Sequence, residues 1–95
     1  MTFSYTLDRE NRHLIIDEGS TEIPTNAFYN DQSFDTIDIP NSIEVIREGA
    51  FDNTALISVA IPNSVKLIER ESFNYSKLLT EVSLPEAVEY IGTNA

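Results

Sequence analysis

One phrase occurs twice in this chain, and it limits the fold more than any other feature. From Ile39 to Phe73 the sequence reads IPNSIEVIREGAF, then DNTALISVA, then IPNSVKLIERESF. Each copy opens on Ile-Pro-Asn-Ser. A β-branched residue follows, then an isoleucine three positions on (Ile43 to Ile46, Val65 to Ile68), then a phenylalanine five further on (Phe51, Phe73). Self-similarity at a fixed period of this length is the signature of a solenoid, in which each unit buries its apolar face against the next.

Extending the period in both directions divides the chain. Repeats run over 23–45, 46–67 and 68–90, and 91–95 begins a fourth. Residues 1–22 fit less well. Phe3, Tyr5 and Leu7 alternate with polar residues, 8–12 is turn-like, and Leu14 to Ile16 makes a second strand candidate. This segment reads as an N-terminal hairpin-like cap with half a repeat. The second repeat is one residue shorter between Phe51 and Leu56, a change that corner loops tolerate.

The apolar positions form columns. They are Ile23, Ile46, Ile68, Ile91; Phe28, Phe51, Phe73; Phe34, Leu56, Leu79; Ile37, Val59, Val82; Ile39, Ile61, Leu84; and Ile43, Val65, Val88. Ile37 and Ile39, with their equivalents, have period two, which marks a short strand with one buried face. Pro40, Pro62 and Pro85 end those strands, because proline has no N–H to give a ladder. Ile43 to Ile46 makes a second extended piece. The Ala-Phe pair (Ala27-Phe28, Ala50-Phe51, with Ser72 before Phe73) sits in a turn or a single helical turn. The expected fold is a mainly β repeat solenoid of short parallel strands, with Phe51 its most sensitive core position.

These residues together resemble the BspA-like leucine-rich repeat family, whose unit is approximately L-x-x-V-x-I-P-x-x-V-x-x-I-G-x-x-A-F-x-x-C. The match spans Leu14 to Ala95. The resemblance implies a right-handed leucine-rich-repeat coil and a surface adhesion role, the family being found mostly in bacterial and protist surface proteins. Two positions depart from the pattern. The family's cysteine is Asp31, Thr54 and Ser76, which suggests a wetter corner. Its glycine is Pro24, Arg47 and Glu69, and survives at Gly92.

Composition narrows the function. The 95 residues carry 16 acidic and 6 basic side chains, a formal charge of -10. Such a chain does not suit nucleic acid or an anionic membrane, and suits a basic protein or peptide. There are no cysteines for disulfides or thiolate metal sites. No apolar run reaches the roughly 20 residues that span a bilayer, and MTFSYTLDREN lacks the features of a secretion signal. The expectation is a cytoplasmic protein or a piece of a longer one, with the family resemblance pointing to the cell surface.

No catalytic site, metal site or cofactor motif is expected. His13 is the only histidine and reads as a surface side chain in the cap. Asp17, Glu18, Asp31, Asp35 and Asp38 read as a solvated acidic face, since no calcium-loop pattern surrounds them. Asn74-Tyr75-Ser76 matches a short glycosylation pattern that also arises by chance. Alternating charges in the columns Glu44, Lys66, Glu89; Arg47, Glu69; and Glu48, Arg70 read as exposed ladders that fix register.

Two surfaces remain as candidates for a partner. The outward positions of the first strand are Thr36, Asp38, Ser58, Ala60, Glu81 and Ser83, with His13 and Ile15 on the cap side. They are small or acidic. The column Val45, Leu67, Tyr90 has two open readings, side packing within a thick wall or an apolar stripe for a partner. A non-enzymatic protein-interaction module is the first reading. A structural spacer or terminal fragment of a longer solenoid is the alternative. The strand at Thr80 to Leu84 has no following repeat, so either the native protein continues or the chain self-associates through this C-terminal edge.

Overall fold

The computed structural model describes residues 3–95. Nine short strands follow in order: β1 (Tyr5–Asp8), β2 (His13–Ile16), β3 (Glu22–Ile23), β4 (Thr36–Asp38), β5 (Val45–Ile46), β6 (Ser58–Ala60), β7 (Leu67–Ile68), β8 (Glu81–Ser83) and β9 (Tyr90–Ile91). They wind into stacked coils, so strands adjacent in space lie about one repeat apart in sequence.

One wall holds β1, β2 and β4, then β6 and β8. β1 runs antiparallel to β2 as a hairpin, pairing Leu7 with Leu14. Beyond it the pairing is parallel: Leu14 faces Ile37, and Val59 faces Val82. The ladder is interrupted between β4 and β6, where the Ile57 N–H donates to the Asp35 carbonyl at 2.9 Å. A second wall is a continuous parallel sheet, β3-β5-β7-β9. It aligns Ile23, Ile46, Ile68 and Ile91 in one row, and Glu22, Val45, Leu67 and Tyr90 in the next.

The Ala-Phe corners form the third side, as turns and not helices. Alternate N–H groups are spent differently there. Those of Asn26, Phe28 and Asn30 donate to the carbonyls of Glu48, Ala50 and Asp52 on the next coil, at 2.8–2.9 Å. Those of Ala27, Tyr29 and Asp31 donate back within the turn to Pro24, Asn26 and Phe28. With every second donor committed to a neighbouring coil, a helix has no bonds left to build. This geometry puts two positions per corner in the left-handed region. Asn26, Gly49, Glu71 and Asn94 make one such column, and Asn30, Asn53 and Tyr75 the other. Asparagine and glycine adopt that region readily. At Gly49 (φ 66°) a β-carbon would also collide with the Asn26 Oδ1.

Inside, the columns touch. Phe28, Phe51 and Phe73 stack nearly parallel, with centroids 5.5 and 5.2 Å apart and interplanar angles of 11°. Phe34 packs edge-on to Phe28 and Phe51. Phe3 and Tyr5 from the hairpin meet Phe28 edge-on and close the stack at the N-terminal end. Ala50 is fully buried, and the buried Ser72 hydroxyl bonds the Glu69 carbonyl.

The cysteine-column corner departs from the expectation of a wetter site. Thr54 is 3% exposed, and its hydroxyl and that of Ser76 are buried without a hydrogen-bond partner. Asp31 stays half-buried by bonding the Ser33 N–H and hydroxyl. Burial varies along the column, with Thr54 of the middle coil enclosed and Asp31 and Ser76 half-buried. A polar atom enclosed without a partner costs about 1–3 kcal/mol.

Two outcomes follow. Phe51 is fully buried between two stacked rings, so Phe51→Ala should cost about 3–5 kcal/mol in urea denaturation. A loss under about 1 kcal/mol would mean the ring column is not packed. Thr54→Val keeps the shape and removes the unpartnered hydroxyl, so it should raise the urea midpoint; a lowered midpoint would show the hydroxyl is satisfied in solution.

Candidate interaction surface

The six outward residues of the first wall do share one face. Strand register brings His13 beside Thr36, Ile15 beside Asp38, Ser58 beside Glu81, and Ala60 beside Ser83. Asp38, Ala60, Glu81 and Ser83 are exposed, while Thr36 and Ser58 are half-buried. Their inward neighbours Val59 and Ile61 are buried, as a half-buried strand requires. Two shallow hollows open on this face. One lies between Ser58, Ala60, Glu81 and Ser83. The other, beside Asp38, is floored by Ile15, Ile37, Pro40 and Ala60.

His13 is not the free surface side chain expected from the sequence. Its Nδ1 lies 2.7 Å from the Thr36 Oγ1, and its Nε2 lies 3.1 Å from an Asp38 carboxylate oxygen. A carboxylate only accepts, so Nε2–H donates to Asp38, and in the neutral ring Nδ1 accepts from the Thr36 hydroxyl. The histidine thus fixes two of the six candidate residues. Both contacts join β2 to β4, so the arrangement is a cross-strand clamp.

The other acidic residues are dispersed onto separate partners. Asp17 accepts from the Ser4 hydroxyl at 2.7 Å, and Asp35 pairs with Arg12 at 3.4 Å. Among the described residues, no three histidine or acidic side chains are grouped to hold a metal ion.

Charge columns behave unequally. Arg47 bridges Glu22 at 3.1 Å and Glu69 at 3.2 Å, tying three strands of the second wall together. Arg70 approaches Glu48 at 3.8 Å. Lys66 differs: its backbone joins the coils, accepting from the Glu89 N–H at 2.8 Å and donating to the Glu44 carbonyl at 2.9 Å, while its side chain is exposed. A long flexible ammonium gains little from pairing at a wet surface.

Val45, Leu67 and Tyr90 line up on the second wall, half-buried for the first two and 58% exposed for Tyr90. Glu22 completes the row at its N-terminal end. Tyr90 and Leu67 border an open hollow with Glu48, Glu69, Arg70 and Thr93. Asn74 of the glycosylation pattern is half-buried, with its amide 3.5 Å from Glu71.

Stacked coils joined by parallel short strands, with an Ala-Phe corner in each, define a leucine-rich-repeat β-solenoid. The chain belongs to the BspA type leucine rich repeat family, whose model matches residues 2–95 in six copies. The match begins upstream of Leu14 and takes in the hairpin. A leucine rich cell surface protein from Faecalibacterium prausnitzii A2-165 has a similar structure, with a TM-score of 0.73 and 33% identity over 76% of this chain. The chain spans 19% of that protein's length. The T. pallidum leucine rich repeat protein TpLRR is a more remote structural match, at a TM-score of 0.37 and 18% identity over 96% of this chain and 82% of that one. No curated protein matches.

Two carboxyl groups give opposite pH dependences. Burial, and then the charge of Glu71, raise the Asp52 carboxyl above its ordinary value of 3.8. One of its oxygens is enclosed without a partner. The folded state then binds a proton more readily than the unfolded chain, so this group lowers stability as pH rises through its raised value. Hydrogen bonding to Arg47 lowers Glu22 below 4.5, so its contribution is present above that value and is lost as pH falls. Asp52→Asn should therefore raise the urea midpoint at pH 7, with the gain vanishing below the ordinary aspartate range. A gain that persists in acid would assign the effect to packing.

Proposed function

We propose that the chain is a non-enzymatic protein-interaction module that binds a basic polypeptide segment on the outward face of its first wall. The supporting observation is the makeup of that face. Asp38 and Glu81 stand exposed among the small side chains of Ser58, Ala60 and Ser83, and the His13 clamp holds Asp38 and Thr36 in place. A broad wall of aligned strands is the surface that repeat proteins commonly use for binding. Small side chains let a peptide backbone lie close, and the carboxylates favour lysine or arginine. The row of half-buried Val45 and Leu67 with exposed Tyr90 is a second contact candidate for the same partner. Membership of the family and the surface-protein neighbour support placement at a cell surface, with adhesion as the biological setting.

A second reading is a spacer within a longer solenoid, with no ligand of its own. The neighbour's length favours it, because the matching coils make up 19% of that protein. The two readings separate in one titration. A lysine-rich peptide added to ¹⁵N-labelled protein should shift the amides of 36–38, 58–60 and 81–83 first. The double reversal Asp38→Lys, Glu81→Lys should weaken binding by about tenfold or more. Shifts spread evenly over the acidic surface, or unchanged affinity in the double variant, would remove this face as the site. No binding to any basic peptide would favour the spacer.

A further inference from the structure

We propose that the hollow beside Asp38 is the anchor site for one arginine side chain of the bound segment. The inference rests on the basic-polypeptide reading above and names the side chain which that reading leaves open.

The hollow marks an opening inside the stack. Parallel ladders join β2 to β4 and β6 to β8, but among the described strands none joins β4 to β6. Burial registers the break. Leu14 and Val59 are buried on either side of Ile37 in its column, and Ile16 and Ile61 on either side of Ile39. Ile37 and Ile39 themselves are only half-buried. Coils flank them in both directions, so their exposure does not come from an end of the stack. With Pro40, Ala60 and Ile15, which is 38% exposed, they form the apolar floor of a hollow of about 350 Å³.

Two carboxylates, Asp38 and Glu18, border the same floor. Among the described residues neither is paired with a lysine or arginine, whereas Asp35 is held by Arg12 and Glu22 by Arg47. The His13 Nε2–H holds one Asp38 oxygen at 3.1 Å. That contact sets the direction of the carboxylate and leaves its second oxygen for a ligand. Glu18 is exposed and adds a second negative charge at the rim. An apolar floor with ionised acceptors at its rim matches a side chain with a long apolar stem and a cationic donor head.

Arginine meets both demands better than lysine. Its guanidinium is planar and weakly hydrated, so it can lie against isoleucine side chains. Its five N–H donors let one head address both carboxylates. An ammonium is compact and strongly hydrated, and loses more on leaving water. A purely apolar side chain would cover the floor but leave both carboxylates without a counter-charge. Ala60 contributes only a methyl group, which keeps the hollow open towards β6.

Three peptides of equal length test the proposal: a lysine-rich sequence with one central arginine, its all-lysine version, and a version with central norleucine. Calorimetry should give the arginine peptide an affinity about five- to tenfold above either of the others. Intermolecular NOEs should join the arginine methylenes to the methyl groups of Ile15, Ile37 and Ile39. Glu18 lies outside the wall positions named above, so it separates this proposal from the reading beneath it. Glu18→Gln should weaken the arginine peptide more than the all-lysine one. Ala60→Leu fills the hollow from an exposed position and should erase the preference for arginine. Equal affinity for the arginine and all-lysine peptides, with amide shifts still confined to 36–38, 58–60 and 81–83, overturns the arginine anchor and leaves the wall reading standing. A norleucine peptide that binds as tightly as the arginine peptide assigns the hollow to an apolar side chain and also overturns it. Binding of none of the three overturns both.

Discussion

Contact between identical columns on successive coils holds this molecule together. No coil has a core of its own. Phe51 is buried because Phe28 and Phe73 lie on either side of it, and Ile46 because Ile23 and Ile68 do. Ladder bonds on both walls and the alternating bonds at the corner all run between the same pairs of coils. A chain of 95 residues has a large surface for its volume. Stacking in one dimension lets each added repeat bury its own face without enlarging a central core. The surface follows from this geometry. Once the columns fix the register, the outward residues of the first wall must also align, and an ordered outer face arises by repetition.

The strand positions, the columns and the Ala-Phe corners were legible because each rests on apolar period or on proline. Leu14, Ile37, Val59 and Val82 share one column of the repeat, and the register follows that column. The same alignment contained the His13 clamp, since His13 falls opposite Thr36 whenever Leu14 falls opposite Ile37. His13 falls on the outward face in sequence but reads there as a free surface side chain, because side-chain type alone does not show its cross-strand partner. Thr54 and Ser76 were misread for a related reason. A hydroxyl suggests water, but the corner encloses both oxygens, although Ser76 as a whole is half-buried.

Backbone handedness was only half legible. Asn26, Asn30, Gly49, Asn53 and Asn94 are residues that accept positive φ, and their columns mark the corner. Glu71 and Tyr75 occupy the same columns with no such preference, and the neighbouring coils hold them there. Charge alternation was informative where a guanidinium was involved. Arg47 spans two carboxylates with its planar fork. The Lys66 column alternates just as well in sequence, yet its coils are joined there by backbone bonds.

Nearest-neighbour stacking makes a quantitative demand on the three phenylalanines. Aromatic pairs in contact couple by about 0.5–1.5 kcal/mol in double-mutant cycles. Residues without a shared contact add within about 0.3–0.5 kcal/mol. The most direct measurement is a set of urea-denaturation cycles with Phe→Leu substitutions, which keep the core filled. Phe28 with Phe51, and Phe51 with Phe73, should each show coupling in the aromatic range, while Phe28 with Phe73 should be additive. Equal coupling in all three pairs would mean a single shared core and would contradict the one-dimensional stack.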